Sequence, residues 1–228
     1  MSGGDLTTLH VWRVPRGRLP RVWWRMARDR TRLRTLPGVR FAKLLGTSRD
    51  FVNAEPTRWA AVVTWADEQR FEETPVARDW RGLAEGYCRL DLTAVASKGR
   101  WSGQEPFTKG PAETGLALAL TRARLRTRRA AEFRRAIAPV AEASANADGL
   151  LAAFGIGEAP IGWQGTVSLW RTAADLVEFA YRHPAHRAVV AATPVRRWYA
   201  EELFTRFAVR GISGDREVLG EDDQEGAP

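Results

Sequence analysis

Apolar positions along the first half of the chain gather into short runs whose period changes from one segment to the next. Leu9–Val14 is a strand-length apolar run, and Leu19–Arg32 places Val22, Trp23 and Met26 at helical spacing. A second strand is predicted over Val39–Leu45, ending at Gly46. A third is predicted over Trp59–Trp65, where β-branched and aromatic residues are dense. A charged helical segment around Phe71 and a short helix over Asp79–Tyr87 lead into a strand at Arg89–Ala96. The predicted order is β-α-β-β-α-β, that of a ferredoxin-like unit.

The second half reads the same way. Leu116–Arg122 is a strand, and Arg129–Ala145 is an amphipathic helix with Phe133, Ile137, Val140 and Ala141 on one face. Strands follow at Leu151–Gly155 and Gly165–Trp170, helices at Ala173–Tyr181 and near Pro194–Phe204, and a last strand at Arg206–Ile212. GTVSLW in the second half matches AVVTW in the first. The separations Trp65 to Trp170 (105 residues) and Phe71 to Phe179 (108 residues) agree to within loop-length differences. The fold expected is therefore α+β: tandem duplicated ferredoxin-like units of the dimeric α+β barrel type, forming a pseudo-dimer within one chain with their sheets packed together. The boundaries expected are repeat 1 over residues 1–97, a Gly- and Pro-rich linker over 98–115, repeat 2 over 116–214 and a tail over 215–228. Trp101 and Phe107 in the linker are too apolar to be left in water.

Composition narrows this little. A 44% apolar share with ten Trp supports a sizeable core, and the single Cys88, itself expected in the core, excludes an internal disulfide. Without an apolar run of membrane-span length or a signal-peptide pattern, the expected location is cytoplasmic, with peripheral membrane association. The tail carries six acids and one Arg, so the body has a formal charge of +13; the tail is expected to be disordered. A basic body suits nucleic acid, an anionic membrane, an acidic protein or the carboxylates of a cofactor.

Chemistry-bearing residues are few. Among three histidines, His10 lies in the first strand as a strand-face residue, while His183 and His186 flank Pro184. Proline suits the first turn of a helix, so His186 is placed in the first turn of a new one. Repeat 1 has no histidine at the corresponding place. The residues alone allow a surface histidine there or a metal ligand, and no third ligand is near enough in sequence for a non-haem iron or zinc site. Haem needs a single axial histidine, so ligand counting favours haem among metals. GIGEAP begins like a dinucleotide fingerprint but has Pro160 where the third glycine belongs, and is discounted. Glu201 and Glu202, on the expected last helix, are read as solvated partners of Arg197 or Arg206.

Several segments together resemble the spheroidene monooxygenase family: LPGVRFAKLLGT (36–47), GRWSGQEPF (99–107), ALTRARLRTRRAAEFRR (119–135), GIGEAPIGWQGTVSLW (155–170), the His186 region and RWYAEELFTRFAV (197–209). They run in the family's order from about Leu6 to Ile212. The resemblance implies a dimeric α+β barrel, a haem cofactor, use of O2 with electrons from a ferredoxin-type donor, and oxygenation of a long apolar polyene. It makes His186, twelve residues before Trp198, the expected axial ligand and catalytic centre. Arg100, Arg124 and Arg187 are then expected to pair with haem propionates. Trp101, Phe107, Trp163 and Trp198 are expected to line an apolar channel. Homodimerisation is a further expectation. The alternatives are a cofactor-free barrel monooxygenase, a non-catalytic lipophile- or haem-binding protein, and, least favoured, a nucleic-acid binder.

Overall fold

Leu6 pairs with Trp65 in the first half, and Ala117 pairs with Trp170 in the second, so the repeat legible in sequence is a repeat of hydrogen-bond register. A computed structural model describes residues 5–49, 53–66, 71–129, 147–158, 165–182 and 198–220, with positions 132, 133, 135–137, 139, 140, 184, 187, 191 and 192 between them. Repeat 1 contributes β1 (Leu6–Arg13), α1 (Leu19–Arg34), β2 (Val39–Ser48), β3 (Ala54–Trp65), α2 (Pro75–Leu83) and β4 (Gly86–Gly99). Repeat 2 contributes β5 (Ala117–Leu125), β6 (Leu150–Gly157), β7 (Gly165–Trp170), α3 (Ala173–Arg182) and β8 (Tyr199–Gly214).

Each repeat orders its strands as a ferredoxin-like unit, β4-β1-β3-β2 and β8-β5-β7-β6. The two sheets join at both edges through β2–β6 and β4–β8 into one closed eight-stranded barrel. Closure removes the open edges that either sheet alone would present to solvent. Inward-facing residues of both sheets fill the barrel, among them Leu9, Val11, Phe41, Leu90, Leu118, Leu120, Phe154, Leu169 and Phe207. Cys88 is buried in the same cluster. Trp101 and Phe107 close the interior at the Gly99 end of β4, packing on Phe41 with ring centroids 5.4 and 6.2 Å away.

Four local expectations need correction. The helix expected over Asp79–Tyr87 starts earlier, at Pro75. Thr74 caps it by accepting from the Ala77 N–H (3.2 Å), and Gly86 and Tyr87 already belong to β4. The helix expected near Pro194–Phe204 is strand from Tyr199 onward. The helix-favouring AEEL run is overridden because Tyr199–Leu203 pairs with β5. Lys98 and Gly99, assigned to the linker, complete β4. The acidic tail is ordered at its start: Arg216–Leu219 forms a 3-10 turn capped by Asp215. Val218 and Leu219, only 0% and 2% exposed, enter the barrel core at the Gly86 end of β4. Those two apolar residues supply the hydrophobic contact that charge counting overlooked.

Candidate functional site

Two positions compete for the functional site, and both include residues of repeat 2. The first is a polar network over the barrel mouth at the Gly99 end of β4. Arg122 faces inward from β5 and is 4% exposed. It forms ion pairs with Glu201 at the start of β8 and, at 3.7 Å, with Glu158 just past β6. Glu158 also accepts from the Lys43 ammonium (2.8 Å) and Trp101 Nε1 (2.6 Å), while Lys43 donates to Ser102 Oγ (2.7 Å).

Glu201 takes the backbone N–H groups of Ser102 (3.0 Å) and Gly103 (2.8 Å). These two donors converge because Ser102 and Gly103 both have left-handed backbones, φ 55° and 76°, a conformation glycine adopts freely. Burial pushes both carboxyls up, but the hydrogen bonds and cations outweigh it. Lys43, Trp101 and Arg122 hold Glu158 below the ordinary range, and Gly103, Ser102 and Arg122 do the same for Glu201. Both are therefore ionised at neutral pH and unsuited to proton transfer. Beside them lies a pocket of about 580 Å³ lined by Ser102, Gly103, Arg122, Arg124, Glu158 and Glu201. The expectation that Glu201 is a solvated helix-surface partner of Arg197 or Arg206 is corrected, because β8 is a strand and carries it across to Arg122. Sequence reasoning missed this network. Its one signal in the sequence is that GRWSG, GIGE and AEEL all fall within the segments that resemble the spheroidene monooxygenase family.

The second position is the outer face of the repeat 2 sheet. On repeat 1 the corresponding face is filled: Trp12, Trp59, Val63 and Trp65 pack against Val22, Met26 and Leu33 of α1 and Val76 and Trp80 of α2. Register equivalence sets Ala119 and Ser168 where repeat 1 has Thr8 and Val63, Thr121 and Thr166 where it has His10 and Ala61, and Ala123 where it has Trp12. Ala119, Thr121, Thr166 and Ser168 are only half-buried. Aromatic pairs bound this shallow face, Trp170 with Phe179 (5.4 Å) at one end and Trp198 with Phe133 (5.6 Å) at the other. Trp198 Nε1 is buried with no acceptor among the described residues. A small-residue sheet face under helices, with an orphaned donor at its rim, fits a flat group carrying acceptors.

The structure separates the predicted residues. Trp101 and Phe107 face the barrel interior, whereas Trp198 lies at the rim of the outer face. Arg124, exposed, lines the mouth pocket at the end of β5. Arg100 is exposed 3.6 Å from Glu105, with its backbone N–H bonded to the Glu202 carbonyl. Arg187 itself has helical backbone and is exposed. His186, His183 and Trp163 lie outside the described residues. Among the described residues, no group of three or more His, Cys, Asp or Glu side chains is arranged to hold a metal ion.

The third histidine is accounted for. His10 is fully buried on the outer face of β1, with Nε2 2.8 Å from Thr8 Oγ1 and Nδ1 2.8 Å from the Tyr87 hydroxyl. Tyr87 donates on to Glu72 (3.2 Å), which Arg89 pairs. Because Tyr87 spends its proton on Glu72, its oxygen accepts from Nδ1–H and Thr8 donates to Nε2. Burial, with Arg89 and Arg81 nearby, holds His10 well below its usual pKa and so neutral.

Comparison with known proteins places the chain among relatives. It is 30% identical over 207 residues to a spheroidene monooxygenase of Rhodobacter capsulatus, covering 86% of each chain. It is 31% identical over 186 residues to one from Rubrivivax gelatinosus, covering 78% of this chain and 72% of that one. A scan against protein-family models gave no match. Among solved structures, an aldoxime dehydratase superposes with a TM-score of 0.56 at 12% identity, over 90% of this chain and 81% of the other, a likeness of fold.

Proposed function

The chain belongs to the spheroidene monooxygenase family and is an oxidoreductase of the monooxygenase class. From that premise we propose that it is haem-dependent and oxygenates a long, apolar, carotenoid-like polyene, with electrons from a ferredoxin-type donor. The observation that carries the haem reading is the contrast between the two sheet faces. Repeat 1 fills its outer face with Trp12, Trp59 and Trp65; repeat 2 keeps Trp170 at the position of Trp65 but sets Ala123 at that of Trp12, Thr121 at that of His10 and Ser168 at that of Val63. His186, which the duplication leaves without a counterpart, would be the residue that holds the iron. Trp198 Nε1–H, at the rim of that face, suits an acceptor on the group, and Arg100, Arg124 and Arg187 are the guanidinium candidates, Arg124 lying on the mouth-pocket side of β5.

Bound haem would supply reductive O2 activation. The protein's part is to orient the substrate and exclude water. One turnover inserts one oxygen atom into a C–H bond and reduces the other to water, consuming two electrons and two protons. A second turnover at the same carbon gives a gem-diol, which loses water to a ketone. The barrel interior is filled by side chains, so the polyene is assigned to the repeat 2 outer face and its surroundings. Purified protein reconstituted with haem should show a Soret band that His186→Ala abolishes or shifts and His183→Ala retains. A protein that stays colourless after expression with haem precursor would overturn the proposal.

A further inference from the structure

The most exposed tryptophans among the described residues are adjacent, Trp23 at 51% and Trp24 at 56%, on the outward side of α1. This helix buries Val22, Met26, Asp29 and Leu33 against the sheet and turns Pro20, Arg21, Trp24, Ala27, Arg28, Thr31 and Arg34 to solvent. At 100° per residue those exposed positions form one contiguous face, with Trp24 near its centre, Arg28 and Arg21 on one flank and Arg34 at the other. Trp23 stands at the edge, its ring meeting Trp59 edge-on at 5.4 Å.

The charge on this face is one-sided. Residues 16–34 hold eight Arg and a single acid, Asp29, which is fully buried. Arg25 and Arg32 are consumed by Asp29 and Asp79, and Arg18 by the Gly82 and Leu83 carbonyls. Among the described residues, Arg21, Arg28 and Arg34 have no carboxylate partner, and Arg28 stacks over Trp24 with its guanidinium 5.0 Å from the ring centre. Among the described residues, Trp24 contacts the guanidinium groups of Arg25 and Arg28 and no buried apolar side chain of the core clusters.

We infer that α1 is a membrane-docking element that lies on an anionic lipid bilayer, with Trp24 and Trp23 at headgroup depth and Arg21, Arg28 and Arg34 on lipid phosphates. Indole rings favour the bilayer interface, and each basic residue near an anionic surface adds to the attraction. The face is the convex exterior of a helix. It matches a planar headgroup layer better than it matches a nucleic-acid strand, which needs a groove that tracks its backbone. The inference stands on α1 alone and does not depend on haem. It would bring the enzyme to the phase in which a long apolar polyene dissolves.

Flotation of the full chain with vesicles tests it. Vesicles of phosphatidylcholine containing phosphatidylglycerol should carry the protein, and pure phosphatidylcholine vesicles should not. Neutralising Arg21, Arg28 and Arg34 to Gln should weaken partitioning about fivefold per charge, on the order of a hundredfold in all. W24S should weaken it several-fold with no change in circular dichroism, since the ring is exposed. A control triple variant, Arg171→Gln, Arg182→Gln and Arg210→Gln, removes the same net charge elsewhere and should leave binding near wild type. No flotation on anionic vesicles, or equal losses in the control, would overturn the inference. So would retained vesicle binding in W24S and the α1 triple variant. Tight, salt-sensitive binding to duplex DNA without vesicle binding would assign the face to nucleic acid instead.

Discussion

Replacing Arg122 with Met should destabilise the protein and blunt its response to acid. Arg122 is buried and holds the charges of two carboxylates whose other partners remain behind in the variant. Without it, Glu158 keeps Lys43 and the Trp101 indole, and Glu201 keeps the backbone N–H groups of Ser102 and Gly103. Glu201 would then keep no cationic partner from this network. Removing one partner of a buried ion pair costs about 3–5 kcal/mol. Both carboxylates keep some solvent contact, so the lower end of that range is expected, a fall in Tm of roughly 6–12 °C for a chain of this size.

The acid response follows from the direction of the shifts. The folded-state pKa values of Glu158 and Glu201 are depressed, so they contribute stability that is fully present above the unfolded value of about 4.3. That contribution is lost as pH falls through the lower folded values. In R122M the depression shrinks, and so does the acid-induced loss. Urea unfolding at pH 7 and pH 4 reads both effects: a large deficit at pH 7 that narrows at pH 4. A variant within 1 kcal/mol of wild type at pH 7, or one with an unchanged pH dependence, would refute the assignment of Arg122 as the centre of this network.

Other expectations concern the core, the histidine and the sheet face. L219A should cost about 2–5 kcal/mol in urea unfolding because it empties a barrel-core position, and a stability equal to wild type would mean the C-terminal turn is not docked. Y87F should cost about 1–3 kcal/mol by leaving the buried His10 Nδ1–H without an acceptor, as read by thermal unfolding. Because the folded pKa of His10 lies below its unfolded value of about 6.5, stability should fall as pH drops through about 6.5 toward the folded value. That slope reaches at most about 1.4 kcal/mol per pH unit, and H10Q should lack it. Under the haem proposal, T121W should fill the shallow face of repeat 2 and abolish haem uptake in a spectral titration while leaving the circular dichroism of the apoprotein unchanged.

The duplication is legible in the residues alone, since the spacing from Trp65 to Trp170 is a consequence of equivalent strand registers. The sequence likewise located Gly165–Trp170 as a strand and α1 as a helix, because period and composition agree there with burial. It also recognised that Trp101 and Phe107 must be sheltered, and they are 1% and 6% exposed. Local propensity misread the AEEL run as helix and Val218–Leu219 as part of a solvated tail, because what decides both is a partner distant in sequence. β5 recruits Tyr199–Leu203 into a strand, and the barrel opening accepts two apolar side chains from the C-terminal turn. Only the tertiary structure could assemble Lys43, Trp101, Arg122, Glu158 and Glu201, which lie on five separate segments. Only strand register, which fixes which side chains share a face, could show that Trp65 keeps its counterpart in Trp170 while Trp12 gives way to Ala123 and Val63 to Ser168.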